Sequence, residues 1–217
     1  MKVHYYGHAA IGLESEGGLR VLLDPYMPGA FEGRMGYGPI PGQWDVVIVS
    51  HEHLDHNYIA PGFGKPVVVK GPASVAGLEI GTFAGSHGTN LGTMEAMTSI
   101  ARFTLDDVTF VHPGDLAEPV DASLIANLRS PDVLFVPVGG RFTFDAREAA
   151  RFVSALSPRV VIPIHFKTAA VDLPLAAVDG FLDRFPTYRR FGTGSVSLHT
   201  GNLPSRTQVW YLPPLCM

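Results

Sequence analysis

The chain has 217 residues, of which 46% are hydrophobic and 17% charged, a composition typical of a globular protein with one well-buried core. Its net charge is −4, it has no basic block, and no apolar run approaches the roughly 20 residues of a membrane helix. These features argue against nucleic-acid binding and membrane spanning. The single cysteine, Cys216, excludes an internal disulfide, so we expect a cytoplasmic protein with one domain over residues 1–217.

Short strands dominate the first half of the chain, and strands alternate with helices in the second half. Apolar or alternating segments predict strands at residues 2–6, 9–14, 19–24, 46–50, 67–69, 96–104, 107–111, 133–136 and 160–164. Helices are predicted at residues 121–129, 145–156 and 174–185, and Asp145 stands where an N-cap is expected. Strand-like alternation returns after residue 190. This order fits two packed sheets with helices on their outer faces.

Residues 25–43 form a long segment rich in glycine and proline between two predicted strands. Loops of this length inside a compact domain are usually functional. The strands on either side lead to Asp24 and His51, which are both candidates for a polar site. We therefore expect this segment to form a lid or a wall of that site.

The hexapeptide His51-Glu52-His53-Leu54-Asp55-His56 places three imidazoles and a carboxylate directly after a predicted buried strand. Imidazole nitrogen and carboxylate oxygen are ligands that zinc, manganese and iron accept in proteins. In an extended segment His51 and His53 point to the same side, and a following turn lets Asp55 and His56 face a second point. The motif therefore predicts a loop that holds two metal ions, or one ion and the groups around it.

Three further candidate ligands follow the hexapeptide, each near the end of a predicted strand: His87, Asp115 and His165. Gly114 precedes Asp115 and permits a tight turn there. Each candidate alone is a weak indication, because a single histidine in a protein is more often structural. Together with the hexapeptide, they predict a larger metal centre.

The order of these residues resembles the metallo-β-lactamase superfamily. Flanking segments resemble its small, single-domain metal-dependent hydrolases, which include ascorbate-6-phosphate lactonase: Gly7-His8-Ala9, Leu23-Asp24-Pro25 and Val136-Pro137-Val138-Gly139-Gly140. The resemblance implies an α/β (α+β) fold, a four-layer αβ/βα sandwich with the metals at one edge between the sheets. The ligands it implies are His51, His53 and His87 for one ion, Asp55, His56 and His165 for the other, and Asp115 bridging both.

The resemblance also implies a hydrolase in which two divalent cations, zinc in the first instance, activate a shared water against a small-molecule ester, lactone or phosphoester. Asp55 is the candidate for taking the proton of the nucleophile. Class B β-lactamases commonly have a cysteine where this chain has Asp115, which argues against a β-lactamase. Members that process nucleic acids carry an extra domain or arm, for which we expect no room in this chain.

Three alternatives stay open: a phosphodiesterase or nuclease, a metal-binding protein without turnover, and an iron-containing redox protein that needs a flavin partner. The ligand set accepts zinc, manganese or iron, and a homo-oligomer is compatible with the sequence. Near the predicted centre, Asp24 is either an acceptor for a ligand imidazole or a turn residue. His8 and His112 are either pocket groups or structural histidines, and Lys167 either binds a phosphate or carboxylate or is solvated.

Overall fold

The computed structural model describes residues 1–87, 96–118 and 121–217 of the chain. The strands are β1 (Lys2–Gly7), β2 (Ala10–Glu14), β3 (Arg20–Leu23), β4 (Val46–Ile48), β5 (Val67–Val69), β6 (Ala73–Val75), β7 (Leu78–His87), β8 (Ala96–Leu105), β9 (Val108–His112), β10 (Val133–Pro137), β11 (Val160–Ile164), β12 (Tyr188–Arg190), β13 (Ser195–Ser197) and β14 (Gln208–Tyr211). The helices are α1 (Ala122–Leu128), α2 (Ala146–Leu156) and α3 (Asp179–Leu182), with 3₁₀ turns at Pro61–Phe63 and Thr200–Asn202.

The strands form two sheets. The first has the order β13-β1-β2-β3-β4-β5, and the second has the order β12-β14-β11-β10-β9-β8-β7-β6. In the first sheet β1, β2 and β3 pair antiparallel and β4 runs parallel to β3, so β1, β3 and β4 share a direction. In the second sheet β7, β8 and β9 pair antiparallel, while β10 and β11 continue parallel to β9, so β7, β9 and β11 share a direction. Each sheet therefore collects the carboxyl ends of several strands at one edge, among them those three.

The main core lies between the two sheets. Leu13 of the first sheet and Phe110 of the second belong to one buried cluster, which also includes Phe152 of α2. Strands β10 and β11 are buried along their whole length. Both belong to the main core, and α2 packs against β10. Burying one such large apolar side chain contributes about 1.5–3 kcal/mol to folding.

The outer face of the first sheet is covered by irregular chain. Leu22 and Val47 point outward from β3 and β4 and pack against Tyr26, Met35 and Trp44 of the segment between these strands. The predicted α/β sandwich is confirmed. One layer differs from the prediction. Helices were expected on the outer faces of both sheets, but in the described residues the outer face of the first sheet is covered by the segment between β3 and β4.

The helices are short. Asp145 begins α2 as predicted, since its carboxylate accepts hydrogen bonds from the N–H groups of Arg147 and Glu148, while Glu148 accepts from the N–H of Asp145. A capping box of this kind stabilises a helix by about 1 kcal/mol. In the part of the chain that the structure describes, no helix is both long and apolar enough to cross a membrane.

The helix predicted at residues 174–185 is wrong over residues 174–178 and 183–185. Only Asp179–Leu182 is helical. The N–H of Ala176 donates to the carbonyl of Gly139, and the carbonyl of Ala176 accepts from Lys167. The backbone groups of Ala176 therefore bond to Gly139 and Lys167 and are not available for helical hydrogen bonds. The predicted hairpin of residues 96–104 and 107–111 is confirmed as β8 and β9.

Candidate metal centre

Polar residues collect where β1, β3, β4, β7, β9 and β11 end. His8, Asp24 and His165 directly follow the last residues of β1, β3 and β11, and their φ angles are 51°, 42° and 52°. A left-handed backbone is uncommon for residues with a side chain, and it clusters at functional sites. All three side chains are buried. The strands of both sheets therefore end in abrupt turns at one shared site.

The first group of candidate ligands consists of His51, His53 and His87. One ring nitrogen from each lies within 4.8 Å of the others, and Nε2 of His51 is 2.9 Å from Nδ1 of His53. His87 donates from Nδ1 to the carbonyl of Phe142 at 2.8 Å. That bond leaves Nε2 of His87 with a lone pair, which faces Asp115 at 3.6 Å.

The hexapeptide reaches both groups through a turn that begins at His53. The N–H groups of His56 and Asn57 both donate to the carbonyl of His53, at 2.9 and 3.0 Å. The chain therefore turns after His53, as the sequence predicted. Residues 51–53 form a bend outside β4, yet His51 and His53 offer ring nitrogens to one group, also as predicted. The turn forms because it follows the end of β4, where ladder pairing has stopped.

The second group consists of Asp55, His56 and His165, and His8 lies with them. Nε2 of His8 is 2.9 Å from Oδ2 of Asp55, and the rings of His8 and His165 are 4.0 Å apart between centroids. The N–H of His165 donates to the carbonyl of His8 at 2.7 Å. These contacts join His165, which follows β11 of the second sheet, to His8, which follows β1 of the first sheet. They place His8, which the sequence left undecided, at the centre.

Asp115 lies between the two groups. Its Oδ2 is 3.4 Å from Nε2 of His165 and 3.6 Å from Nε2 of His87, and its Oδ1 is 3.2 Å from Nε2 of His56. Gly114, with a φ of 56°, makes the turn that brings this carboxylate in, as the sequence predicted. A single carboxylate is therefore approached by imidazole nitrogens from both groups.

Asp24 supports the centre from behind. Its Oδ2 accepts hydrogen bonds from Oγ of Ser50 at 2.6 Å, and from Nδ1 of His56 and Nε2 of His112 at 2.9 Å each. Its Oδ1 accepts from the N–H of Ser50 at 2.7 Å. Because the Ser50 proton is given to Asp24, Nδ1 of His51 donates to Oγ of Ser50 at 2.9 Å. Asp24 thus orients His56 directly and His51 through Ser50.

The electrostatics of the centre favour a cation. Burial would lower the pKa of His56, but the carboxylates of Asp115, Asp55 and Asp24 outweigh it and raise that pKa well above its ordinary value. Burial lowers the pKa of His51 to about 3, and neighbouring His56 adds to the effect. Three buried carboxylates therefore surround one imidazole, and His51 stays neutral, as a metal ligand must be.

The donor atoms at the centre fit a metal. Several buried atoms at or beside the centre have no hydrogen-bond partner among the described residues: Oδ1 of Asp55 and of Asp115, Nε2 of His56, and Nδ1 of His8, His112 and His165. Buried polar atoms are normally paired, so orphaned acceptors that converge on one point indicate that something else satisfies them. Imidazole and carboxylate together suit zinc, manganese and iron.

An open cavity of about 330 Å³ leads to the centre. Its lining comprises Phe31, Arg34, His53, Asp55, His87, Asp115, Phe142, His165 and Leu173. The segment predicted as a lid or a wall supplies Phe31 and Arg34. Sequence reasoning did not find either residue, because an irregular loop has no periodicity to mark which side chains face a site. Ser50 was also missed, although its place beside the hexapeptide was a signal.

The remaining candidates have local partners. Lys167, considered as an anion-binding residue, lies with its Nζ 3.3 Å from Asp172 and 3.2 Å from the carbonyl of Leu173. Nδ1 of His4 lies 2.7 Å from Oγ of Ser195, and His199 precedes the 3₁₀ turn at Thr200–Asn202. These three residues are not among those that line the cavity.

The sequence matches known proteins over most of its length. A sequence model for a beta-lactamase superfamily domain matches residues 2–165. A UPF0173 metal-dependent hydrolase from Methanosphaerula palustris is 30% identical over an alignment of 200 residues, which covers 77% of this chain and 84% of the relative. Another from Pyrococcus furiosus is 31% identical over 202 residues, covering 77% and 85% of the two chains.

The fold also matches solved structures. A Thermotoga maritima protein, described as a candidate Zn-dependent hydrolase of the metallo-beta-lactamase superfamily, aligns with a TM-score of 0.78 and 27% identity over 97% of both chains. Igni18, a metallo hydrolase from Ignicoccus hospitalis, aligns with a TM-score of 0.64 and 20% identity over 98% of this chain and 95% of its own. At 20% identity, the similarity to Igni18 shows a shared fold only.

Proposed function

We propose that this chain, which belongs to the metallo-β-lactamase superfamily and is a metal-dependent hydrolase, cleaves ester, lactone or phosphoester bonds of small molecules at a centre for two divalent metal ions. The observation that carries the proposal is the position of Asp115, whose two oxygens lie 3.2–3.6 Å from imidazole nitrogens of both ligand groups. A carboxylate in that position suits a bridge between two cations.

The proposed ligands follow from the two groups. His51, His53 and His87 would hold one ion, Asp55, His56 and His165 would hold the other, and Asp115 would contribute to both. The orphaned oxygens of Asp55 and Asp115 and the orphaned Nε2 of His56 support this assignment. We propose zinc, with manganese or iron as alternatives that the same ligands accept.

Bound divalent metal ions would lower the pKa of a water molecule, to about 7 in a favourable zinc site, and would supply hydroxide near neutral pH. Asp55 is proposed to hold the proton that the nucleophile loses. Its Oδ2 accepts a hydrogen bond from His8 at 2.9 Å, which fixes the carboxylate and leaves Oδ1 toward the centre. Asp55, His165 and Phe31 line the same cavity, so a substrate that occupied it would lie beside Asp55.

We propose a lactone or a phosphorylated sugar as the substrate class, by analogy with the lactonases that the sequence resembles. Residues 1–217 are proposed to act as a single domain in the cytoplasm, since one cysteine provides no internal disulfide. We propose no nucleic-acid partner, because the net charge of −4 lacks the positive footprint that phosphate backbones require.

The experiment that tests the proposal is elemental analysis of metal per chain, on protein purified without chelators or a His tag. We expect close to two equivalents of a transition metal. A screen of esters, lactones and phosphoesters with that ion then identifies the bond class, and Asp115→Ala should remove metal and activity together. Protein that holds no metal and takes none up on titration would overturn the dinuclear centre.

A further inference from the structure

The cavity that leads to the metal centre has a wall that combines apolar side chains with one arginine. Beyond the candidate ligands, it is lined by Phe31, Arg34, Phe142 and Leu173. Phe31 keeps 39% of its surface exposed, although it is a large apolar residue. A concave site with apolar walls and a few placed polar groups is the usual form of a small-molecule site. The composition of this wall therefore bears on which substrates enter.

Hydrogen bonds fix the backbone of Arg34. The N–H of Asp172 donates to its carbonyl at 2.8 Å, and its own N–H donates to the carbonyl of Phe31 at 3.2 Å. Met35, the next residue, is fully buried and pairs with Val171. The backbone of Arg34 is therefore fixed where its side chain lines the cavity.

The backbone next to Arg34 is strained. Phe31 and Glu32 have φ angles of 56° and 59°, and Gly33 follows with 87°. A left-handed conformation is a genuine outlier for a bulky residue and costs on the order of 1–3 kcal/mol. The strained backbone places the exposed ring of Phe31 at the cavity, and this ring is not part of either core cluster.

The charge at this wall is positive. Among the described residues that line the cavity, Arg34 is the lone lysine or arginine, and the described residues give it no carboxylate partner. Lys167, the neighbouring cation, is already bound to Asp172. A guanidinium with a fixed backbone and a planar set of donors suits a carboxylate or phosphate, which it binds in a bidentate manner.

We propose that Arg34 is a specificity residue that binds an oxyanion, a carboxylate or a phosphate, of the substrate, while Phe31, Phe142 and Leu173 contact its apolar part. The inference rests on the proposed hydrolase function and deepens it. It predicts that the preferred substrates are anionic, and that the anionic group lies apart from the bond that is cleaved.

One test measures binding without turnover. The Nε–H signal of Arg34 in NMR spectra, assigned by its loss in Arg34→Lys, is followed while methyl phosphate or acetate is added at constant ionic strength. We expect a saturable shift with at least one probe, and the two probes distinguish phosphate from carboxylate. The signal of Arg141, which stacks on Phe142 at 5.6 Å, serves as the internal comparison. No saturable shift of the Arg34 signal with either probe would overturn the proposal.

A second test measures specificity. The ratio of kcat/KM for mono(4-nitrophenyl) glutarate to that for its methyl ester compares an anionic with a neutral substrate that share the same glutaryl chain and leaving group. Arg34→Gln should lower this ratio about 10- to 100-fold, because a charge-assisted hydrogen bond is lost. Arg141→Gln should leave the ratio within about twofold.

The outcomes separate the two proposals. An equal fall of the ratio in both variants would assign the effect to general surface charge and overturn the role of Arg34. Cleavage of neither ester, together with a saturable Arg34 shift, would refute ester hydrolysis and leave the anion site supported. Cleavage of both esters with an unchanged ratio in Arg34→Gln would refute the anion site and leave the hydrolase function supported.

Discussion

Asp24 and His56 are joined by a hydrogen bond of 2.9 Å between the carboxylate Oδ2 and the ring Nδ1, and both side chains are fully buried. The bond turns Nε2 of His56 toward Asp115. The same carboxylate reaches His51 through Ser50. One buried acid therefore fixes the ring orientation of a histidine in each ligand group, and it does so without lining the cavity.

Replacing Asp24 by asparagine should weaken metal binding about 10- to 100-fold, as is typical when an acceptor behind a ligand imidazole is lost. An amide has one acceptor oxygen, whereas the Asp24 carboxylate accepts four hydrogen bonds through two. The NH₂ group of the asparagine would also face the hydrogen-bond donors of Ser50, His56 or His112, to which it cannot accept a bond. The measurement is metal affinity by competition with a chromogenic chelator.

The matched control for Asp24 is Asp45→Asn. Asp45 also accepts a backbone hydrogen bond, from the N–H of Arg20 at 2.8 Å, but it is exposed and away from the centre. Its variant should bind metal like the parent protein. Equal metal affinity in Asp24→Asn and the parent would refute the supporting role of Asp24.

The candidate ligands could be predicted from the sequence because their signal is local. Three histidines and an aspartate in six residues form a dense motif, and His87, Asp115 and His165 stand where strands end. The contacts of Asp24 carry no such signal. Its partners His56 and His112 are 32 and 88 residues away, and only the folded chain shows that they share one carboxylate.

The fold shows the same limit. Strong periodicity and a good N-cap predicted α2 correctly, because these features act within the helix itself. Residues 174–178 carry apolar spacing that resembles a helix, but the carbonyl of Gly139 binds the N–H of Ala176 instead. A strand ending near His87 was expected, but the sequence did not give the bounds of β7, since Gly81 and Gly85 interrupt its pattern and its pairing with β8 provides the stability.

Gly114→Ala should destabilise the protein by about 2–4 kcal/mol, from overpacking and from a strained positive φ. A Cβ at this position would overlap Oγ1 of Thr98 and the side chain of Ser50. Ser50 links Asp24 to His51, so the variant should also lose metal affinity. Chemical denaturation and chelator competition measure the two effects.

Gly62→Ala is the comparison for Gly114. A Cβ at Gly62 would have no heavy atom within 4 Å, and its φ lies outside the left-handed region. Its stability should change by no more than about 0.5 kcal/mol. A Gly114→Ala protein as stable as Gly62→Ala would show that the turn before Asp115 tolerates a side chain.

His53→Ala should remove metal from the first group and abolish hydrolysis, while the fold stays largely intact. His53 is the most exposed of the proposed ligands, so its truncation leaves no buried cavity behind. Elemental analysis and circular dichroism measure the two properties. His199→Ala, which changes an exposed histidine outside the cavity lining, should keep its metal. Full metal occupancy in His53→Ala would show that its assignment as a ligand is wrong.

Removal of the metal should lower the melting temperature, because Asp24, Asp55 and Asp115 then lie buried together without a cation. A ligand present at about a thousand times its Kd stabilises the folded state by about 4 kcal/mol, which corresponds to a shift on the order of 10 °C for a chain of this size. Differential scanning calorimetry with and without EDTA measures the shift, and restoring the native ion should reverse it. Asp115→Ala, which is expected to bind neither ion, should melt at the same temperature with and without EDTA. If wild-type protein that holds two equivalents of metal melts unchanged after their removal, the centre contributes nothing to stability and its carboxylates are neutralised by the surrounding histidines alone.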